Sequence, residues 1–308
     1  NWFYPTDIFP FTDLPETDAD TGTTAGLLDR AEAAHVVPKI FYTNGSYEYW
    51  GRAASLIHTS VDGKHDAPPA PDTRIYFLAG TQHGPGARPS RQYTQNLTNP
   101  ADYRWIMRAL LVAMQSWLKD GIAPPPSQYP RIDRDQLVAV SAVQFPKIIG
   151  VRFPAADYHA YRLDFGPQFT TDGIVSFEPP KMGRPYPTLV PQLDRDGNET
   201  SGVRAPELAV PLATYTGWNL RSPKIGAPDA LYDMAGSFIP FARTKAERQK
   251  TGDPRLSIEE RYANRGEYLS RLGAAALELA RGRYVLEADI PRIKLVAGAR
   301  WDEIMLPR

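Results

Sequence analysis

No cysteine occurs among the 308 residues, which removes disulfides, thiolate nucleophiles and cysteine metal sites together. No apolar run reaches the length of a membrane span, so no transmembrane helix is expected. Neither sign of charge is in surplus, since 35 Lys and Arg balance 35 Asp and Glu. A protein that grips a phosphate backbone needs a basic excess on one face, so nucleic acid is not an expected partner. Histidine is scarce, at five, and no two histidines stand at metal-ligand spacing. Neither a metal nor a cofactor is expected. A G-x-S-x-G nucleophile segment is missing as well. So are an initiator methionine, a basic n-region and a signal-like apolar stretch: the chain opens Asn1-Trp2-Phe3-Tyr4-Pro5. A mature start made by cleavage, or a piece of a longer chain, is the expectation. The lack of cysteine suits either redox compartment, which leaves location open with a lean toward the periplasm or secretion.

What is present suffices for a core. Hydrophobic residues make up 42% and charged residues 23%, both ordinary for a globular chain. Proline occurs 30 times, about twice the usual share, and is dispersed along the chain, which fits many rigid surface connections. Residues 1–35 read as an extended lead-in packed by Phe3, Phe9 and Phe11, ending in a short helix near 26–34. Residues 36–125 alternate strand and helix. Lys39–Thr43 and Arg74–Ala79 are β-branched and aromatic runs that read as buried strands. From Ala101 to about Lys119, Trp105, Ile106, Ala109, Leu110, Ala113, Met114 and Trp117 recur at helical spacing. Asn99 and Pro100 are the expected start of that helix and Gly121 its stop. Such alternation marks a mostly parallel sheet flanked by helices. After Pro124-Pro125-Pro126, residues 126–308 form a Pro-rich, irregular and β extension expected to pack on the core, with a turn at Asp196-Gly197-Asn198. Helices return near the end, announced by the capping box Ser257-Ile258-Glu259-Glu260.

With few histidines, the search for a general base is short. His83 lies in Gly80-Thr81-Gln82-His83-Gly84-Pro85-Gly86, directly past a buried strand, and in open parallel sheets ligands and catalytic groups collect at that edge. The alternative is a loop histidine that bonds only backbone. Glu48 follows the preceding strand, flanked by aromatics. Two adjacent parallel strands would put both groups at one edge, where a carboxylate can accept the imidazole Nδ1–H and fix its tautomer. The competing role for Glu48 is an ion pair with Arg52 at i, i+4. Asp66 and Asp72 are next in line as the acid. His58 reads as a packing or helix-end residue and His65 as a solvated one, while His35 and His159 have no partner pattern. Ser46 and Ser237 are the nearest imitations of a nucleophile, but neither has the second glycine of an elbow.

Four segments resemble the large bacterial alpha/beta hydrolase domain proteins: Phe3–Phe11, Glu48–Arg52, Gly80–His83 and Ala213–Asn219. The likeness covers essentially the whole chain, as the C-terminal half of longer relatives. It implies the C-terminal part of an α/β-hydrolase fold, with Glu48 and His83 as acid and base and the oxyanion-hole loop upstream. Because α/β-hydrolases run Ser, then Asp or Glu, then His, the serine is expected before Asn1, on the N-terminal portion of the same precursor or on an associated chain. The expected activity is carboxylic ester hydrolysis of a small-molecule ester. Tyr215, Trp218 and Asn219 are candidates for substrate contact, with a fold-stabilising role as the alternative. An inactive binding or structural module on the same fold is the rival reading. A β-rich carbohydrate-binding protein, suggested by 16 Tyr and 6 Trp, is opposed by the strand–helix–strand pattern of 36–121. The triplets at Asn44, Asn96 and Asn198 are too common by chance to argue secretion.

Overall fold

In the computed structural model, residues 7–86 and 88–306 are described. Of the lead-in aromatics, Phe3 lies outside the described residues, whereas Phe9 and Phe11 pack with Leu56 and Tyr186 in a small cluster. The lead-in also contains a hairpin of β1 (Glu16–Asp18) and β2 (Thr23–Ala25) and a five-residue helix, α1 (Asp29–Ala33).

The centre of the molecule is a parallel pair. β3 (Ile40–Gly45) runs alongside β4 (Thr73–Leu78) in unbroken register from Ile40 opposite Thr73 to Gly45 opposite Leu78. Helix α2 (Ser46–Gly51) starts at the residue after β3 ends. β4 is buried on both faces, as strands of parallel sheets are. Tyr76 and Leu78 point into one core with Ile106, Leu110, Leu272, Ile293 and Trp301. Phe77 and Ala79 point into a second, with Tyr49, Leu208, Tyr215 and Phe238. The period-two alternation of the strand therefore joins two hydrophobic layers. The far edge of β4 is covered by single bridges to Gln128 and Val203. β3 has β4 as its only ladder partner among the described strands.

β5 (Leu97–Thr98) precedes helix α3 (Arg104–Asp120), whose buried stripe is Ile106, Ala109, Leu110, Ala113 and Trp117. Gly121, left-handed at φ +67°, closes it as expected. Its start differs from the expectation: the N-cap is Tyr103, not Asn99. Asn99 is buried, and its side-chain amide donates to the Gly80 and Thr216 carbonyls at 2.7 and 2.9 Å while its Oδ1 accepts from Ala101. The Asn99 Oδ1 thus still caps a backbone amide two residues on, while the regular helix begins one turn later, at Arg104.

The Pro-rich region forms short pieces: β6 (Leu137–Val138), β7 (Tyr161–Asp164), α4 (Phe169–Asp172), β8 (Lys181–Pro185), β9 (Val190–Pro191), α5 (Pro206–Ala209), β10 (Ala213–Tyr215) and β11 (Ser237–Pro240). Their ladders, β6–β9, β7–β8 and β10–β11–β5, are antiparallel. The sheets are thus mixed rather than mostly parallel. Proline and glycine break the apolar runs too early for the long crossovers that parallel pairing demands. Last come α6 (Lys245–Thr251), α7 (Ile258–Arg261), α8 (Arg265–Arg281) and α9 (Ile290–Met305). α7 carries the full capping box of Ser257 and Glu260. Among the described residues no helix is long and apolar enough to cross a membrane.

Because the core around Tyr76 takes residues from β4, α3, α8 and α9, the terminal helices should be part of one cooperative unit. Leu272 of α8 is fully buried there. Leu272→Ala should lower stability by about 2–5 kcal/mol, the range for deleting a buried leucine side chain. A urea midpoint unchanged from wild type would show that α8 unfolds independently.

Candidate active site

A parallel pair finishes both strands at the same edge. Past β3, Ser46 opens α2 and Glu48 sits in its first turn. Past β4, Gly80 turns the chain at φ +67° and His83 follows. The His83 Nδ1 and the Glu48 Oε1 lie 2.6 Å apart. A carboxylate only accepts, so Nδ1 carries the proton, and Nε2 is the ring nitrogen left for another partner. The Glu48 side chain is 16% exposed and that of His83 52% exposed. Glu48 is sheltered while His83 faces solvent.

The surrounding backbone leaves little freedom. Tyr47 N donates to the Thr81 carbonyl at 3.2 Å, stitching the two segments together. Thr81 Oγ1 donates back to the Leu78 carbonyl, and the Tyr103 hydroxyl donates to the His83 carbonyl at 2.5 Å. Gly236 N donates to Gln82 Oε1 at 3.2 Å. Gly45 is required by close approach: a Cβ there would stand 2.7 Å from Thr81 Oγ1 and 2.9 Å from Glu48 Oε2. Gly217 is required likewise, since its Cβ would overlap Ser46. Tyr47 turns its ring edge toward His83 at 6.1 Å between centroids, and its hydroxyl bonds Asp233. Burial and that carboxylate push the Tyr47 hydroxyl up to about 12, so it stays protonated near neutrality.

Beneath the pair lies a group that sequence reasoning missed. Glu199 is 2% exposed. It accepts the Ser46 hydroxyl and, at 2.6 Å, the Gly80 N–H. Burial raises its pKa to about 7 against the pull of those two donors. Its neighbours in sequence, Asn198 and Thr200, signal only a turn, and its partners are 153 and 119 residues away.

The other candidates are placed elsewhere. Arg52 pairs with Asp233 at 3.0 Å, so the competing Glu48–Arg52 ion pair does not form. Asp66 accepts the Ile132 and Asp133 amides, and Asp72 pairs with Lys39. Neither touches His83. Ser46 is committed to Glu199, and buried Ser237 donates to the Trp218 carbonyl. Tyr215, Trp218 and Asn219 are all buried, which sets the expected substrate contact against their surroundings. Tyr215 packs in the layer behind β4, Trp218 lies among Trp50, Phe145 and Phe153, and the Asn219 amide satisfies the Asn96 and Gly236 carbonyls. Their contacts are those of scaffold. Among the described residues, no group of three His, Asp or Glu side chains could hold a metal ion.

The family model described as Alpha/beta hydrolase domain matches residues 14–294. No curated protein and no solved structure matches the chain.

His58 supplies a test of the packing beneath α2. It is fully buried, 2.8 Å by its Nε2 from the Tyr49 hydroxyl, and burial pulls its pKa from 6.5 down to about 3. The folded protein keeps this imidazole neutral where the unfolded chain binds a proton. The stability it contributes is therefore present above pH 6.5 and is lost as pH falls toward 3. Denaturation at pH 7 and pH 4 should show a larger loss for wild type than for His58→Gln. Equal losses would place the proton uptake on other groups.

Proposed function

This chain belongs to the alpha/beta hydrolase domain family, which makes it a hydrolase, and on that premise we propose that it carries the acid and base of a serine-type carboxylic ester hydrolase. The observation that bears the reading is the 2.6 Å contact of His83 Nδ1 with Glu48 Oε1 at the carboxyl edge of a parallel pair. His83 Nε2 takes the proton of a serine hydroxyl as that oxygen attacks the ester carbonyl carbon. It returns the proton to the leaving alcohol, then repeats the cycle with water on the acyl-enzyme. Glu48 stays ionised throughout, holding the tautomer and stabilising the imidazolium.

The serine is supplied by an upstream segment of the same precursor or by an associated chain. Two features support this. The serines nearest to an elbow, Ser46 and Ser237, are buried and bonded elsewhere. The outer edge of β3 also lacks a ladder partner among the described strands. A two-strand parallel sheet is marginal by itself, and an open edge invites a further strand. The incoming segment would add to that edge and bring its hydroxyl to His83 Nε2.

The complete assembly should hydrolyse short-chain nitrophenyl esters and take up a fluorophosphonate on the upstream serine. In it, Glu48→Gln should fold normally and lower kcat by roughly a few powers of ten, with Glu48→Asp milder. Unchanged turnover in Glu48→Gln would sink the assigned role of this acid. Labelling of a serine in this chain, or ester turnover by the chain alone, would refute the upstream nucleophile.

A further inference from the structure

We propose that Glu199 is a positioning residue that sets the geometry of the Glu48–His83 pair. The inference rests on the reading of that pair as acid and base. Its ground is a juxtaposition: one buried carboxylate joins the two chain segments that deliver the pair. Ser46, whose hydroxyl it accepts, is two residues before Glu48, and Gly80, whose N–H it accepts at 2.6 Å, is three residues before His83. At the carboxyl ends of β3 and β4 the ladder has run out, and these donors need a new acceptor. Glu199 serves both with one side chain.

The carboxylate is itself held from both sides. Upstream, the Asp194–Asn198 turn is locked by the Arg261 guanidinium on both Asp196 oxygens, at 2.8 and 2.5 Å. Asn198 accepts the Tyr215 N–H and donates to the Ala213 carbonyl. Downstream, Val203 bonds into β4: its N–H donates to the Phe77 carbonyl, and its carbonyl accepts from Ala79. Gly202, at φ +82°, lets that segment approach, because a Cβ there would overlap Phe77. The carboxylate therefore cannot follow a drifting α2 or a drifting 80–83 turn. It fixes them to a common point.

Chemistry separates positioning from mere filling of the core. A methionine at 199 keeps nearly the same volume but has no acceptor oxygen, so the Ser46 hydroxyl and the buried Gly80 N–H both lose their partner. A glutamine is not equivalent, because its oxygen can accept from Gly80 while its NH2 group donates to the Ser46 hydroxyl. Ser46→Ala removes one arm and leaves the Gly80 bond intact.

The test is the Nδ1-bound proton of His83, followed by NMR in nitrogen-15-labelled chain and assigned by its loss in His83→Gln. It should be present in wild type and in Leu272→Ala, which weakens the core away from the site. In Glu199→Met it should be lost to exchange, and in Ser46→Ala it should be broadened. In the complete enzyme, Glu199→Met should lower kcat by about 10²-fold with KM little changed, the scale on which a misplaced catalytic group acts. A folded Glu199→Met with a wild-type His83 resonance and wild-type kcat would overturn the positioning role and leave the acid–base reading standing. No such resonance in wild type would overturn both. If Glu199→Met does not fold, Ser46→Ala decides: an unaltered resonance there refutes the proposal.

Discussion

Two parallel strands must end at the same edge, and the ladder from Ile40–Thr73 to Gly45–Leu78 makes that constraint act on this site. Both strands turn away within two residues of the ladder's end, so Glu48 and His83 are carried on short arms from one rigid base. A slip of one residue would move either arm by about 3.3 Å along the strand and reverse the faces of its side chains. The contact at 2.6 Å would not survive. Burial of β4 between two hydrophobic layers opposes such a slip, since Tyr76 and Leu78 would exchange places with Phe77.

The Pro-rich region secures this edge from outside. Gln128 and Val203 close the far side of β4, Gly217 packs on the first turn of α2, and Gly236 donates to Gln82. Many of these contacts are polar and buried. Each leaves few alternatives, because a displaced donor or acceptor in the interior would go unsatisfied at a cost of about 1–3 kcal/mol. Proline in the connections restricts the unfolded chain more than the folded one, which helps irregular segments hold a single conformation. Loops this long would otherwise be poor supports for a site.

Exposure divides the labour at the pair. Glu48 is largely sheltered, which strengthens its hold on the imidazole in a medium of lower dielectric. Half-exposed His83 is open to solvent. The outer edge of β3, on the same strand pair, has no ladder partner among the described strands.

Local pattern was enough to read the strands at 40 and 73, the stripe of α3, its stop at Gly121, the capping box of α7 and the return of helices near the end. Each depends on periodicity or on a cap within a few residues, and such signals are written where they act. The neighbourhood of Glu48 and His83 was legible for a related reason: consecutive strand ends become neighbours as soon as the strands pair in parallel. Asn99 was legible only in part: its Oδ1 accepts the Ala101 amide as an N-cap oxygen does, but its amide group also holds the Gly80 and Thr216 carbonyls, and the regular helix starts only after Tyr103. Tyr215, Trp218 and Asn219 look alike in sequence whether they face a substrate or the core, and only packing distinguishes the two. Glu199 carried no local mark at all. Its role depends on bringing together Ser46, Gly80 and a turn more than a hundred residues later. Short-range order follows from the spacing of side chains along the chain, whereas a buried carboxylate acquires its partners only when distant segments close around it.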